Sequence, residues 1–281
     1  MIKINGNKLL TEKYPNQETK VKDFVGGINV QKPIVEFKYE NDGDLVQLMM
    51  LKKRLDETGR SAELFIWYMP YSRMDREIPG KDGEPGDLFT LKYITEFIGQ
   101  LGFDKVTVME PHSKKTVELF KQNGVNVQDI YPTKDWIKQF VKDGVIAEHD
   151  HVVFPDAGAQ ARYADLDLPN ILTFDKKRNP QTGRIEGIYL KDGQRVYKGS
   201  NAIILDDLCS YGGTFMGSGG VLKQEGVKKV DLMVAHLEDS VLNGKMLNDD
   251  SPIDTVYASD SIFTGSHPKI QKLELDIERY V

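Results

Sequence analysis

Short apolar runs alternate along most of the chain with stretches whose apolar residues recur every three or four positions. The run LFIWYMP (64–70) has the unbroken apolar character of a strand buried on both faces. In LFTLKYITEFIGQLGF (88–103), Leu91, Ile94, Phe97, Ile98 and Leu101 fall at helical spacing. KVTVME (105–110) reads as a strand, KKTVELFKQNG (114–124) as a helix closed by Gly124, and TKDWIKQFVKDG (133–144) as another closed by Gly144. After His151 the rhythm restarts. VVFPDAG (152–158) leads from a strand into a helix, and NILTFD (170–175) and NAIILDD (201–207) are strands. GVLKQEG (220–226) reads as a helix, KVDLMVAHL (229–237) as a strand, and TVYASDSI (255–262) as the last short strand. Strands alternating with helices specify an α/β protein whose mainly parallel sheets are flanked by helices. The length suits two such sheets, with the division expected between 138 and 139.

One segment breaks the alternation. KKRNPQTGRIEGIYLKDGQRVYKGS (176–200) is polar, basic and interrupted by glycines, as expected of an excursion or hairpin at the carboxyl end of a sheet. Charge and composition then exclude several classes of protein. With 43 acidic against 37 basic residues the net charge is −6, which argues against a broad basic surface for nucleic acid. Cys209 is the only cysteine, so no intrachain disulfide forms. No apolar run approaches the roughly 20 residues of a membrane span, and the first residues lack the apolar core of a secretory signal. The expectation is a cytoplasmic protein that works on small molecules, with neither nucleic acid nor membrane as partner.

The candidate chemistry concentrates in IILDDLCSYGGTF (203–215). In open α/β sheets, ligands bind beyond the carboxyl ends of the strands. Asp206 and Asp207 at such an end can accept hydrogen bonds from the vicinal hydroxyls of a sugar, or hold a divalent cation. Ser210, Tyr211, Gly212, Gly213 and Thr214 then supply a turn whose glycines let backbone N–H groups approach an anion, and the following helix adds its positive end. A diol and a phosphate together describe a ribose phosphate. The alternative is a strand–turn–helix in which the acids serve only as turn and capping residues. Glycines at 217, 219 and 220, each costing on the order of 0.5–1 kcal/mol in a helix, point to a backbone kept open. Arg73 and Arg76, just past the apolar run 64–70, are either forked phosphate grips or surface charges paired with Asp75 or Glu77.

This set of motifs resembles the ribose-phosphate pyrophosphokinase (PRPP synthetase) family, which has the type I phosphoribosyltransferase fold. IILDDLCSYGGTF resembles its PRPP-binding signature, PYSRMDRE (70–77) its strand-end ATP motif, and VMEPHSKK (108–115) the segment with its metal-linked histidine. VVFPDAGAQAR (152–162) resembles its metal-binding aspartate strand, TFDKKRN (173–179) its catalytic lysine–arginine loop, and YPNQETKV (14–21) a loop reaching adenine across a subunit interface. The resemblance implies two phosphoribosyltransferase-like domains, 1–138 on the ATP side and 139–281 on the ribose side, with a flexible catalytic loop over 176–200. It implies ATP held by Arg73, Arg76, His112, Tyr14, Asn16 and Glu18, magnesium at His112 and Asp156, and catalysis by Lys176 and Arg178. It also implies a homo-oligomer.

The reaction implied is transfer of a diphosphoryl group from Mg-ATP to the C1 hydroxyl of ribose 5-phosphate, giving PRPP for nucleotide biosynthesis and AMP. Neither a GxxxxGK[ST] loop nor a dinucleotide fingerprint is present. Met74 stands where the family usually has glutamine, and Tyr14 and Asn16 where it has Phe and Asp. Ser210 and Tyr211 replace an Asp-Thr pair, which removes a charge and puts a phenol beside the sugar's 5-substituent. Two acceptors follow: ribose 5-phosphate, or a larger riboside such as ADP-ribose, whose 1-diphosphate would serve to rebuild NAD. A phosphoribosyltransferase and a non-catalytic regulatory relative are the readings from other classes.

Overall fold

Two sheets carry the fold in this computed structural model, which describes residues 1–23, 30–80, 83–178 and 185–281 and leaves the side chains at 178, 185 and 186 undescribed. Each sheet belongs to its own unit: Met1–Ile130 with Asp276–Val281, and Tyr131–Leu275. The boundary in the contacts lies just before the helix predicted over 133–144, whereas a division between 138 and 139 would cut that helix.

The first unit opens with β1 (Ile2–Ile4) and β2 (Asn7–Lys8), followed by a separate hairpin of β3 (Thr11–Lys13) and β4 (Thr19–Val21). Next come β5 (Ile34–Phe37), α1 (Gly43–Glu57), β6 (Glu63–Ile66), α2 (Thr90–Gln100), β7 (Lys105–Met109), α3 (Lys115–Gln122) and β8 (Val127–Ile130). The sheet order is β2-β1-β5-β6-β7-β8, parallel from β5 to β8, with β1 antiparallel to both of its neighbours. The helix α1 has no counterpart in the apolar pattern because its buried side includes Asp44, Gln47 and Lys52 beside Leu48, Leu51 and Leu55. The strand expected over 64–70 ends at Ile66. Trp67 still donates its backbone N–H to Phe37, while its indole bonds Glu36 at 3.1 Å and lies 4.2 Å under the Lys38 ammonium.

The second unit begins with α4 (Pro132–Lys142), β9 (His151–Phe154), α5 (Ala157–Arg162), β10 (Ile171–Arg178) and β11 (Ile185–Leu190). It continues with β12 (Asn201–Cys209), α6 (Gly213–Gln224), β13 (Lys229–Leu237), β14 (Thr255–Ala258) and β15 (Ile270–Lys272). The order is β11-β10-β9-β12-β13-β14-β15, parallel throughout except at the β10–β11 pair. Successive side chains of a strand point to opposite faces, and here both faces are covered. Ala202 and Ile204 join Phe215 and Leu222 of α6 in one core, while Ile203 and Leu205 join Ile137 of α4 and Ala159 of α5 in the other. The basic excursion is therefore a hairpin in its first half, with Lys176 inside a strand; residues 179–184 lie outside the described set.

The glycines after the turn do something other than hold the backbone open. Helix α6 runs straight through Gly217, Gly219 and Gly220. A Cβ at 217 would come within 2.4 Å of Ile188 Cδ1, and one at 219 within 2.9 Å of Ile253 Cδ1. These two glycines are there for close packing against the β11 hairpin and the segment before β14.

Buried Asp150, beside β9, ties the start of that strand to β12: its carboxylate accepts from Ala147 N at 2.9 Å and Asn201 N at 2.7 Å. Asp150→Ala leaves both N–H groups without that acceptor, at about 1–3 kcal/mol each when no water replaces it. A urea titration should show a clear drop in midpoint at unchanged slope; an unshifted midpoint would mean that the two amides find other partners.

Candidate functional site

In the second unit, strand register brings together residues far apart in sequence. Phe154 of β9 pairs with Thr173 of β10, and Val153 pairs with Ile204 of β12. Two residues beyond Phe154 is Asp156, so Asp156, Lys176 and the Asp206–Asp207 pair arrive at about the same level on three adjoining parallel strands. Asp156 caps α5, accepting from Ala159 N at 3.0 Å, and its other oxygen takes the Lys176 ammonium at 2.7 Å. Burial alone would raise the Asp156 carboxyl, but Lys176 and the helix N–H groups outweigh it and hold the acid below its ordinary value. Arg178 is the last residue of β10, with its side chain outside the described set.

Asp206 and Asp207 lie inside β12 rather than past its end, so they project to opposite faces. Asp207 is buried, with its carboxylate 3.1 Å from Arg162 of α5. Asp206 is half-buried, and one of its oxygens accepts from Asp207 N at 2.9 Å. Burial pushes the Asp206 carboxyl well above the usual range, and the Asp207 charge pushes the same way.

The strand then hands over to the turn. Ser210 Oγ is 3.0 Å from Ser240 Oγ, which donates to Glu238. Gly212 sits at φ 81° immediately before α6, and a Cβ there would lie 2.4 Å from Met246 Sδ. Only glycine satisfies both the left-handed backbone and that contact. Gly213 is exposed, Thr214 is half-buried, and Tyr211 is 62% exposed.

In the first unit, the parallel strands β6 and β7 each end near a non-glycine residue in the left-handed region: Tyr71 at φ 60° and Glu110 at φ 41°. Backbone strain of this kind collects at functional sites. Exposed Arg73 and Arg76 follow Tyr71, and exposed His112 follows Glu110. Tyr14, Asn16 and Glu18 form the exposed tip of the β3–β4 hairpin, where Asn16 and Glu18 bond each other. His112 and Asp156, expected to share a metal, belong to different units. Among the described residues no three His, Cys, Asp or Glu side chains are grouped to hold a metal, and no helix is long and apolar enough to cross a membrane. Arg162 and the tyrosines near Arg73 are absent from the sequence-derived set; for Arg162 the signal was its place at the end of VVFPDAGAQAR.

No family model matches the chain. The ribose-phosphate pyrophosphokinase of Pyrococcus furiosus is 28% identical over 227 residues, spanning 80% of this chain and 76% of that protein. The Pyrococcus abyssi protein of the same name is 26% identical over 236 residues, spanning 83% and 78%. A phosphoribosylpyrophosphate synthetase structure from Mycobacterium smegmatis superposes with a TM-score of 0.73 at 16% identity, covering 95% of this chain and 85% of that one. The fold and the glycine turn after β12 define a chain of two phosphoribosyltransferase-type domains. Within that class, the chain is a relative of the ribose-phosphate pyrophosphokinases.

Two outcomes test this geometry. Gly212→Ala should lower the melting temperature markedly, since it combines a strained backbone with a clash; a parent-like melt would show that Met246 moves aside freely. Asp206 is an acid whose pKa is raised on folding. Its protonated form stabilises the fold below its ordinary value of 3.8, and that contribution is lost as pH rises through the raised value. Asp206→Asn should therefore melt higher than the parent near pH 7, with the gap closing toward pH 3. A variant less stable at pH 7 would contradict the half-buried, charge-opposed acid.

Proposed function

We propose that the chain transfers the β,γ-diphosphate of ATP to the anomeric hydroxyl of ribose 5-phosphate, yielding PRPP and AMP. The observation that carries this reading is the register that sets Lys176, Asp156 and the Asp206–Asp207 pair side by side, ahead of the Gly212 turn. The relatives' shared name supports it independently. In the reaction the C1 oxygen forms a bond to the β-phosphorus while the bond from that phosphorus to the α–β bridging oxygen breaks. AMP leaves with that electron pair, and the hydroxyl proton passes to solvent. Phosphoryl transfer of this kind asks the protein mainly for positioning and charge.

In this reading the Lys176 ammonium leaves Asp156 for the transferring phosphates, with Arg178 as the second cation. Asp206 accepts from the ribose hydroxyls while Asp207, on the opposite face, is held by Arg162, and the first N–H groups of α6 with Thr214 hold the 5-substituent. Arg73, Arg76 and His112 serve the nucleotide, with Tyr14, Asn16 and Glu18 from a neighbouring copy. Magnesium, when bound, neutralises the triphosphate. Asp156, held ionised, would suit a hard cation of this kind, and the resemblance assigns His112 to it as well. A second reading, with ADP-ribose as acceptor, is favoured by the exposed Tyr211 ring beside the turn, a surface on which a base can stack.

Incubation with Mg-ATP and a panel of ribosides, following AMP release, tests the reaction and identifies the acceptor; no AMP with any riboside removes the proposal. Lys176→Ala should abolish AMP release in a protein that still folds cooperatively, though it melts lower for want of the Asp156 ion pair, and normal turnover would take Lys176 out of the mechanism. Tyr211→Thr should shift preference toward ribose 5-phosphate if the ring reads a larger substituent.

A further inference from the structure

The turn before α6 is backed by the segment that follows β13. Val241 and Met246 anchor that segment in the α6 core. Asp239 ties it to the loop between β14 and β15, accepting from Thr264 N at 2.8 Å and Gly265 N at 3.2 Å. Met246 lies against Gly212, and a Cβ on Gly244 would come within 2.8 Å of the Tyr211 carbonyl oxygen. At the head of the segment, Glu238 donates its N–H to the Cys209 carbonyl at 2.9 Å. Its side chain then reaches the turn through two hydroxyls. Ser240 Oγ donates to Glu238 Oε2 at 3.1 Å and lies 3.0 Å from Ser210 Oγ. All three residues are half-buried.

A hydroxyl has one proton to give, and a carboxylate only accepts. Ser240 directs its proton to Glu238, so the bond between the two serines runs from Ser210 to Ser240. With its own proton turned toward Ser240, Ser210 Oγ offers a ligand only lone pairs. Such an atom attracts a hydroxyl and opposes the oxygens of a phosphate, which are acceptors too. The donors of this turn lie elsewhere, in the first N–H groups of α6. We infer that Glu238, acting through Ser240, holds Ser210 as an acceptor, so that Ser210 takes a hydroxyl of the bound riboside and anionic oxygens are left to α6. Glu238 and Ser240 are positioning residues for specificity, placed outside the turn they control. The inference rests on the proposed reaction for its ligand class. It divides the turn into one residue that reads a hydroxyl and a helix end that holds the anion.

The test is equilibrium binding of ribose 5-phosphate and ADP-ribose to the full-length protein with magnesium, alongside AMP release. Inorganic phosphate affinity is measured by competition against whichever riboside binds. The quantity read is the ratio of riboside to phosphate affinity, which a partly unfolded variant does not change. Ser210→Ala removes the acceptor and should weaken the riboside by about three- to tenfold, the range of one hydrogen bond, without weakening phosphate. Ser240→Ala leaves the Glu238 charge in place but frees Ser210 to turn its proton outward. The ratio should then fall toward phosphate by about threefold or more. Ser240→Thr, which keeps the hydroxyl, should retain the parent ratio. An unchanged ratio in Ser240→Ala, or a shift toward the riboside, overturns the inference. If AMP release persists in that case, the proposed reaction survives and only the relay is excluded. If the parent binds neither riboside, the reaction and this inference fall together.

Discussion

The second unit depends on the parallel register of β10, β9 and β12. Hydrogen bonding between these strands fixes the level at which each ends, and that level decides which side chains meet. One residue of slip would turn Asp207 from the α5 face, where Arg162 waits, to the α6 face. Both faces of this sheet are buried, so such a slip would also carry Ile203 and Leu205 into the α6 core and Ala202 and Ile204 out of it, undoing the packing of both layers. Hydrophobic burial therefore specifies the chemistry indirectly: the apolar residues set the register, and the register sets the charges.

The charges so assembled oppose one another. Asp206 is driven upward by burial and by Asp207, whereas Asp156 is held ionised by Lys176. Two acids within one short stretch of sheet thus have opposite protonation tendencies. An arrangement that destabilises its own fold persists where the site needs it. In the reaction proposed here, sugar hydroxyls donating to Asp206 would offset that opposition.

How much of this was legible in the sequence depended on the range of the interaction responsible. The strand–turn–helix of IILDDLCSYGGTF was readable because its parts are contiguous and Gly212 is a local backbone requirement. The meaning of Gly217 and Gly219 was not, because it lies in Ile188 and Ile253, which reach α6 only in the folded chain. Helix α1 shows no clean apolar stripe in the sequence because polar residues share its buried side. Tyr71 falls within a recognisable motif, but its partners Asp42 and Tyr39 are joined to it only across β5 and β6.

Tyr71 and Glu110, two of the first unit's non-glycine residues with a left-handed backbone, complete the pattern. Parallel strands leave their last peptide groups at the carboxyl edge, where the chain must turn sharply into a loop. Glu110 makes that turn directly after β7, and Tyr71 lies in the loop that leaves β6, although glycine would take the same backbone at no steric cost. A bulky residue in that conformation is a choice for its side chain. For Tyr71 the reason is visible, since the ring lines a cavity and its hydroxyl meets Asp42. Glu110 is buried at the end of the neighbouring strand, two residues before His112.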